Sequence, residues 1–125
     1  MKLEFLEYGS PDCPLVRLYE FTSQEAYDFR RIALQLARGR EHTVFLNERP
    51  GTVPIGGCEL TLQKENKDRG VSEISSAKFK WVLSQNGWLQ VAHLIRPFSR
   101  GASTSWQWLS EKGQARILLS CDGGW

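Results

Sequence analysis

The sequence predicts an α+β fold: a single domain with a mainly antiparallel sheet of about six to seven strands and one long helix, over about 23–38, packed on one face. Three observations predict it. Residues 22–39 combine a helix start, an apolar stripe of helical period and a helix stop. Several short segments elsewhere alternate apolar with polar residues between Gly, Pro and Asn turn signals. Two β-rich runs also flank Asn86-Gly87, the strongest short hairpin signal.

Residues 2–8 alternate weakly around Leu3 and Phe5 and read as a strand. Gly9-Ser10-Pro11-Asp12-Cys13-Pro14 forbids regular structure and makes a turn. Leu15–Phe21 is the returning strand of an antiparallel hairpin. Thr22-Ser23-Gln24-Glu25 fits a capping box: the Thr22 hydroxyl accepts from the Glu25 amide, and the Glu25 carboxylate accepts from the Thr22 amide. Phe21 and Ala26 take the two positions of a hydrophobic staple. Ala26, Phe29, Ala33, Leu36 and Ala37 then recur at helical spacing beside Ile32, leaving Arg30, Arg31, Gln35 and Arg38 outside the stripe. Gly39 supplies a left-handed residue after the helix, and Arg38 and Arg40 suit its negative end.

His42–Glu48 is β-rich and is closed by a turn at Arg49-Pro50-Gly51. Residues 53–57 are irregular, and Cys58–Gln63 alternates as a half-buried strand does. Lys64 to Gly70 is a charged loop in solvent. Lys78–Gln85 and Trp88–Ile95 form the hairpin around Asn86-Gly87. Its register puts Phe79, Trp81, Ala92 and Leu94 on a core face and Lys80, Val82, Val91 and His93 on a mixed one. Arg96-Pro97 ends this pairing and opens a polar loop to Ser105. Trp106–Ser110, a turn at Glu111-Lys112-Gly113 and Gln114–Ser120 complete a C-terminal meander. Residues 122–125 are a tail.

At 125 residues the chain holds a core without metals or disulfides. Its hydrophobic share of 41% argues against disorder. No apolar run approaches the roughly 20 residues of a membrane helix. The opening Met1–Glu7 is interrupted by carboxylates, unlike a secretory signal. A net charge of +2 is too small for a dedicated nucleic-acid footprint. The charge is uneven: 7 Lys/Arg face 9 Asp/Glu in residues 1–62, and 9 face 5 in residues 63–125. The mildly basic second half suits an acidic partner. Cys13, Cys58 and Cys121 are odd in number and far apart. They read as free thiols in a reducing, cytoplasmic compartment, with no zinc spacing and no cofactor motif.

Tryptophan is the most unusual feature, because all five lie in the last 45 residues. Indoles suit sites that are half apolar and half wet. Trp81 reads as core. Trp88, at the exit of a tight turn, is harder to bury. Trp106 and Trp108 point the same way along a strand, either under the helix or as a surface platform. Arg96 and Arg100 are bidentate donors for carboxylate or phosphate, and the amides of Gly101–Ser105 could turn toward an anion; a solvated loop is the plainer reading. His93 could serve as a general base and Cys13 as a nucleophile, although Asp12 beside Cys13 opposes thiolate formation. Cys58 and Cys121 read as small core residues. No motif of nucleophilic, metal-dependent or dinucleotide chemistry is present.

The expectation is therefore a non-catalytic protein-binding or regulatory module. Its surface would use Trp88, Trp106 and Trp108 as anchors, with Arg96, Arg100 and His93 nearby. One alternative is a small-molecule binder or small enzyme, with a pocket between helix and sheet served by His93, Cys13 or Arg96. Another is a single-stranded nucleic-acid binder that stacks bases on the tryptophans. No membrane partner is expected.

Overall fold

In the computed structural model, which describes residues 1–101 and 105–125, the first helix starts where the sequence places it. The Glu25 amide donates to Thr22 Oγ1 at 3.1 Å, and the Thr22 amide donates to Glu25 Oε1 at 2.9 Å. This helix, α1, spans Ser23–Ala37 and buries Ala26, Phe29, Ile32, Ala33, Leu36 and Ala37. It ends one residue short of the expected limit, with Arg38 as its cap.

Among the described residues, nine strands and a second helix accompany it. The strands are β1 (Lys2–Leu6), β2 (Leu15–Tyr19), β3 (Thr43–Phe45), β4 (Val53–Pro54), β5 (Glu59–Lys64), β6 (Gly70–Ser75), β7 (Lys78–Leu83), β8 (Trp106–Ser110) and β9 (Arg116–Ser120). The second helix, α2, is Gln85–Ser99. The expected strand 42–48 keeps only β3 and then tightens into a 3-10 turn at Leu46–Glu48.

The α+β class holds, but a mainly antiparallel sheet with one helix does not. The strands form two mixed sheets, ordered β4-β1-β2-β9-β8 and β3-β5-β7-β6. β1–β2, β8–β9, β3–β5 and β6–β7 pair antiparallel, whereas β1–β4, β2–β9 and β5–β7 pair parallel. Parallel partners are never joined by a tight turn, so no local signal announces them.

The larger correction is the hairpin at Asn86-Gly87, which is instead the first turn of α2. Ser84 is the N-cap: its Oγ accepts from the Gly87 amide at 3.3 Å. Asp68 Oδ1 reinforces the cap by accepting from both the amide and the hydroxyl of Ser84, each at 2.8 Å. Beyond the cap, Trp88, Val91, Ala92, Ile95 and Phe98 are buried along one helical stripe. That periodicity outweighs the turn dipeptide, because a strand here would split these residues between two faces.

The two helices pack on each other, and the Phe21 and Phe98 rings, 5.8 Å apart, bring the last turn of α2 to the start of α1. Leu3, Val16, Leu18, Ile117 and Leu119 of one sheet and Leu60, Leu62, Phe79 and Trp81 of the other share one apolar cluster with both helices. Trp88 is fully buried beside Trp81, with ring centroids 4.9 Å apart, and its Nε1–H donates to the Gln63 carbonyl at 3.1 Å. The sheets are joined at a parallel bridge between Val71 and Gly113. There the Val71 amide donates to the Lys112 carbonyl at 3.0 Å, and the Gln114 amide donates to the Val71 carbonyl at 2.7 Å.

Candidate functional site: an indole groove behind the five-stranded sheet

Side chains alternate across a strand, so each strand of the five-stranded sheet shows a second face. Val16, Leu18, Leu109, Ile117 and Leu119 enter the core. Leu15, Arg17, Tyr19, Arg116, Leu118, Ser120, Trp106 and Trp108 therefore share the opposite side. The register lays them in rows: Glu4, Arg17, Leu118 and Trp108 in one, and Lys2, Tyr19, Ser120 and Trp106 in the next.

The first row is braced by charge. Arg17 donates to Glu4 Oε1 through Nε at 3.0 Å and Nη2 at 2.6 Å, and Tyr19 OH donates to the same oxygen at 3.0 Å. The Arg17 guanidinium also lies 4.0 Å over the Tyr19 ring. Burial, then the Glu4 carboxylate, raises the Tyr19 phenol above its ordinary pKa. Arg17 uses its remaining arm, Nη1, on the Gly123 carbonyl at 2.8 Å, pinning the C-terminal tail onto the sheet. Gly123 has φ +90°, and a Cβ there would stand 3.0 Å from Arg17 Nη1 and Tyr19 Cδ2. Ser120, fully buried, closes the tail turn: its Oγ accepts from the Gly123 amide at 3.0 Å and donates to the Gly124 carbonyl at 2.6 Å. The Gly124 amide donates to Asp122 at 2.9 Å, and that bond holds the Asp122 carboxyl below the usual carboxylate range.

The tail so placed completes a groove lined by Ser10, Asp12, Trp106, Trp108, Gly124 and Trp125. Trp106 and Trp108 meet nearly edge to face, with centroids 6.1 Å apart and planes at 70°. Trp125 closes the other side, its Nε1–H donating to Asp12 Oδ2 at 2.9 Å. The second Asp12 oxygen accepts from Arg116 Nη1 at 2.9 Å, and the Arg116 guanidinium lies 5.6 Å over the Trp108 ring. Trp106 is 40% exposed and Trp125 38%, unusually open for indoles.

The expected site residues separate into three places. Trp88 belongs to the core rather than the surface, because it begins the apolar stripe of α2 instead of leaving a turn. His93 and Arg96 are exposed on α2, not on a strand and a loop, and Arg100 caps that helix. The helix packs against the side of β8 that carries Leu109, so His93 and Arg96 do not meet the groove. Trp106 and Trp108 alone lie in it. They face away from the helices and do not pack under α1. Within the expected anion loop Gly101–Ser105, residues 102–104 lie outside the described residues.

No pattern in the sequence marks Asp12, Arg116 or Trp125 as binding residues. Asp12 and Trp125 lie at opposite ends of the chain and are brought together by the parallel β2–β9 pairing, which no local pattern reveals. Cys13 is half-buried beside the groove, 3.7 Å from Ser10 Oγ. Cys58 is a core residue whose thiol burial pushes up to about 12, whereas Cys121 is exposed and not in the core. A small cleft lies at the start of α1, between that helix and the turn at Arg49–Thr52 rather than between helix and sheet, and there the Met1 amino group donates to Glu25 Oε2 at 2.7 Å. None of His93, Cys13 or Arg96 lines it. Among the described residues no cluster of His, Cys, Asp and Glu could hold a metal ion, and no helix is long and apolar enough to cross a membrane. No family model, curated protein or solved structure gives a significant match to this chain.

Proposed function

We propose that this chain is a non-catalytic protein-binding module, acting in the cytoplasm as a regulator or neutraliser of its partner, and that the indole groove is its recognition surface. One observation carries the reading. Trp106 and Trp108 of β8 and Trp125 of the tail after β9 meet on one open groove, and an Asp12–Arg116 pair, with Asp12 coming from the far end of the sequence, holds two of them in place. Fixed, half-desolvated indoles anchor protein interfaces because they offer large apolar area at little entropic cost. Arg96 and Arg100 do not line the groove, and Arg116, which lies against Trp108, is paired with Asp12; this speaks against stacked single-stranded nucleic acid, which needs basic side chains free beside the rings. The dispersed cysteines suit the reducing compartment.

The test compares capture of partners from the native host by the wild type, a Trp106→Ala/Trp125→Ala variant and an Arg96→Ala/Arg100→Ala variant. The tryptophan variant, shown folded by circular dichroism, should lose the specific partner by about thirtyfold, the size of a hot-spot loss. The arginine variant should keep it. A partner held equally by the tryptophan variant would remove the groove from recognition.

A further inference from the structure

Resting on the protein-binding reading, we infer that the partner docks by strand addition: an extended segment of it pairs with the open edge of β8 and lays alternate side chains beside the indoles of the groove. β8 is the last strand of its sheet and pairs only with β9. The bonds of β9 show which groups of β8 stay open. The Arg116 amide donates to the Pro14 carbonyl at 3.2 Å, so residues 116, 118 and 120 bond toward β2. The Cys121 amide donates to the Ser105 carbonyl at 3.0 Å, so 117, 119 and 121 bond toward β8, where Ser105 and Gln107 face them. Trp106 and Trp108 stand opposite Ser120 and Leu118, the residues that bond the other way. Their amides and carbonyls therefore point off the sheet. Among the described residues the Trp106 amide, the Trp106 carbonyl and the Trp108 amide meet no partner. The Trp108 carbonyl accepts from Gln107 Nε2 at 3.0 Å and keeps a second lone pair.

Among the described residues no other sheet edge is so open. β4 has two residues, and one is Pro54, which has no amide to offer. β3 has three residues before its 3-10 turn. On β6 the Val71 amide and carbonyl already bond Lys112 and Gln114, and the Glu73 amide donates to Gln114 Oε1 at 2.8 Å. β8 also lacks the charges and prolines that usually blunt an edge, since Ser105-Trp106-Gln107-Trp108-Leu109-Ser110 contains neither. An extended backbone is selected over a folded surface because edge and groove belong to the same two residues. Trp106 and Trp108 send their main-chain groups along the sheet plane and line the groove with their side chains. A strand added about 4.8 Å away bonds to the first and sets every second side chain level with the second. The register shift between Trp108 and Ser110 confines this pairing to 105–108. The segment is therefore short, with β-branched or aromatic residues at its groove-facing positions and no proline at its bonding ones.

The experiment selects linear peptides on the full chain from a random heptapeptide display library and follows the best binder by calorimetry and amide exchange. In the free protein the Gln107 amide should exchange slowly and the Trp106 and Trp108 amides fast; with peptide bound, all three should be protected. N-methylation along the peptide should cut affinity about tenfold at every second bonding residue and by less than about twofold between them. Trp106 is the first residue of β8 and its amide lies outside the ladder, so the fold tolerates Trp106→Pro. That variant, shown folded by circular dichroism, should bind the peptide about tenfold more weakly than Trp106→Ala, which loses the same ring but keeps the N–H. The N-methyl scan leaves the protein untouched and decides even where Trp106→Pro unfolds. Sensitivity without alternation, equal affinity of the two folded variants, or a library that yields no binder would overturn strand addition. In each of these cases a host partner still lost by Trp106→Ala/Trp125→Ala leaves the groove reading standing, and one held by that variant removes groove and strand together. A wild type that sediments as a dimer, with Trp106→Pro monomeric and Trp106→Ala not, would give the edge to a second copy of this chain and overturn the partner segment.

Discussion

Gly87 has ordinary helical surroundings but no room for a side chain. A Cβ there would stand 2.4 Å from Asp68 Oδ1 and 2.9 Å from Leu83 Cβ. The residue is a glycine because the Asp68 carboxylate must approach the start of α2 to accept from Ser84. Gly87→Ala should therefore destabilise the protein, although alanine is the better helix former at a free site. Overpacking and displacement of Asp68 predict a loss of about 1–3 kcal/mol in chemical unfolding. Asn86→Ala, on an exposed residue of the same dipeptide, should change stability by less than about 0.5 kcal/mol. A hairpin turn would reverse the order, since it depends on both residues, so a stable Gly87→Ala beside a damaging Asn86→Ala would contradict this account.

At the scale of elements, two helices begin with a capped turn and differ in how openly the sequence shows it. For α1 the cap, staple and stripe all agree, and the helix forms within one residue of the expected span. For α2 the stripe Trp88, Val91, Ala92, Ile95 and Phe98 is equally present, but the Asn-Gly signal and the β-rich flanks compete with it. The contest is decided by Asp68, a residue in another loop, which no reading of 78–95 alone can include. Both caps are sensitive to acid. The Met1 amino group, then the Thr22 amide, holds the Glu25 carboxyl below its ordinary range, and the Ser84 amide and hydroxyl do the same for Asp68. A carboxylate depressed on folding stabilises the native state above its unfolded pKa, and that contribution disappears as pH falls through the depressed value. Thermal melts between about pH 7 and about pH 3 should thus show falling stability on the acid side. Glu25→Gln and Asp68→Asn should each melt lower at neutral pH and lose less on acidification. Parallel pH curves for wild type and both variants would exclude these carboxylates as the source.

The whole molecule depends on contacts that cross the chain. Local pairings such as β1–β2 and β8–β9 are legible because a turn joins each pair, and Trp81 is legible as core from its alternation. The three parallel pairings are not, and the groove inherits that blindness: Asp12 reaches Trp125 only because β2 lies beside β9. The join between the two sheets is of the same kind. Gly113, at φ +105°, sits so close that a Cβ would lie 2.2 Å from the Val71 carbonyl oxygen and 2.6 Å from its amide nitrogen. Turn chemistry explains a glycine at 113, but the approach of Val71 makes it indispensable. Gly113→Ala should force the strands apart and break the Val71–Lys112 and Gln114–Val71 bonds that join the sheets. Two lost backbone bonds plus left-handed strain predict a cost of about 2–5 kcal/mol. Hydrogen exchange would locate the damage. The amides of Val71 and Gln114 should lose protection in the variant before those of α1, because the break is between the sheets and not in the helical layer. Uniform loss of protection across the chain would mean that the sheets do not open separately and that the Val71–Gly113 join is simply part of one cooperative core.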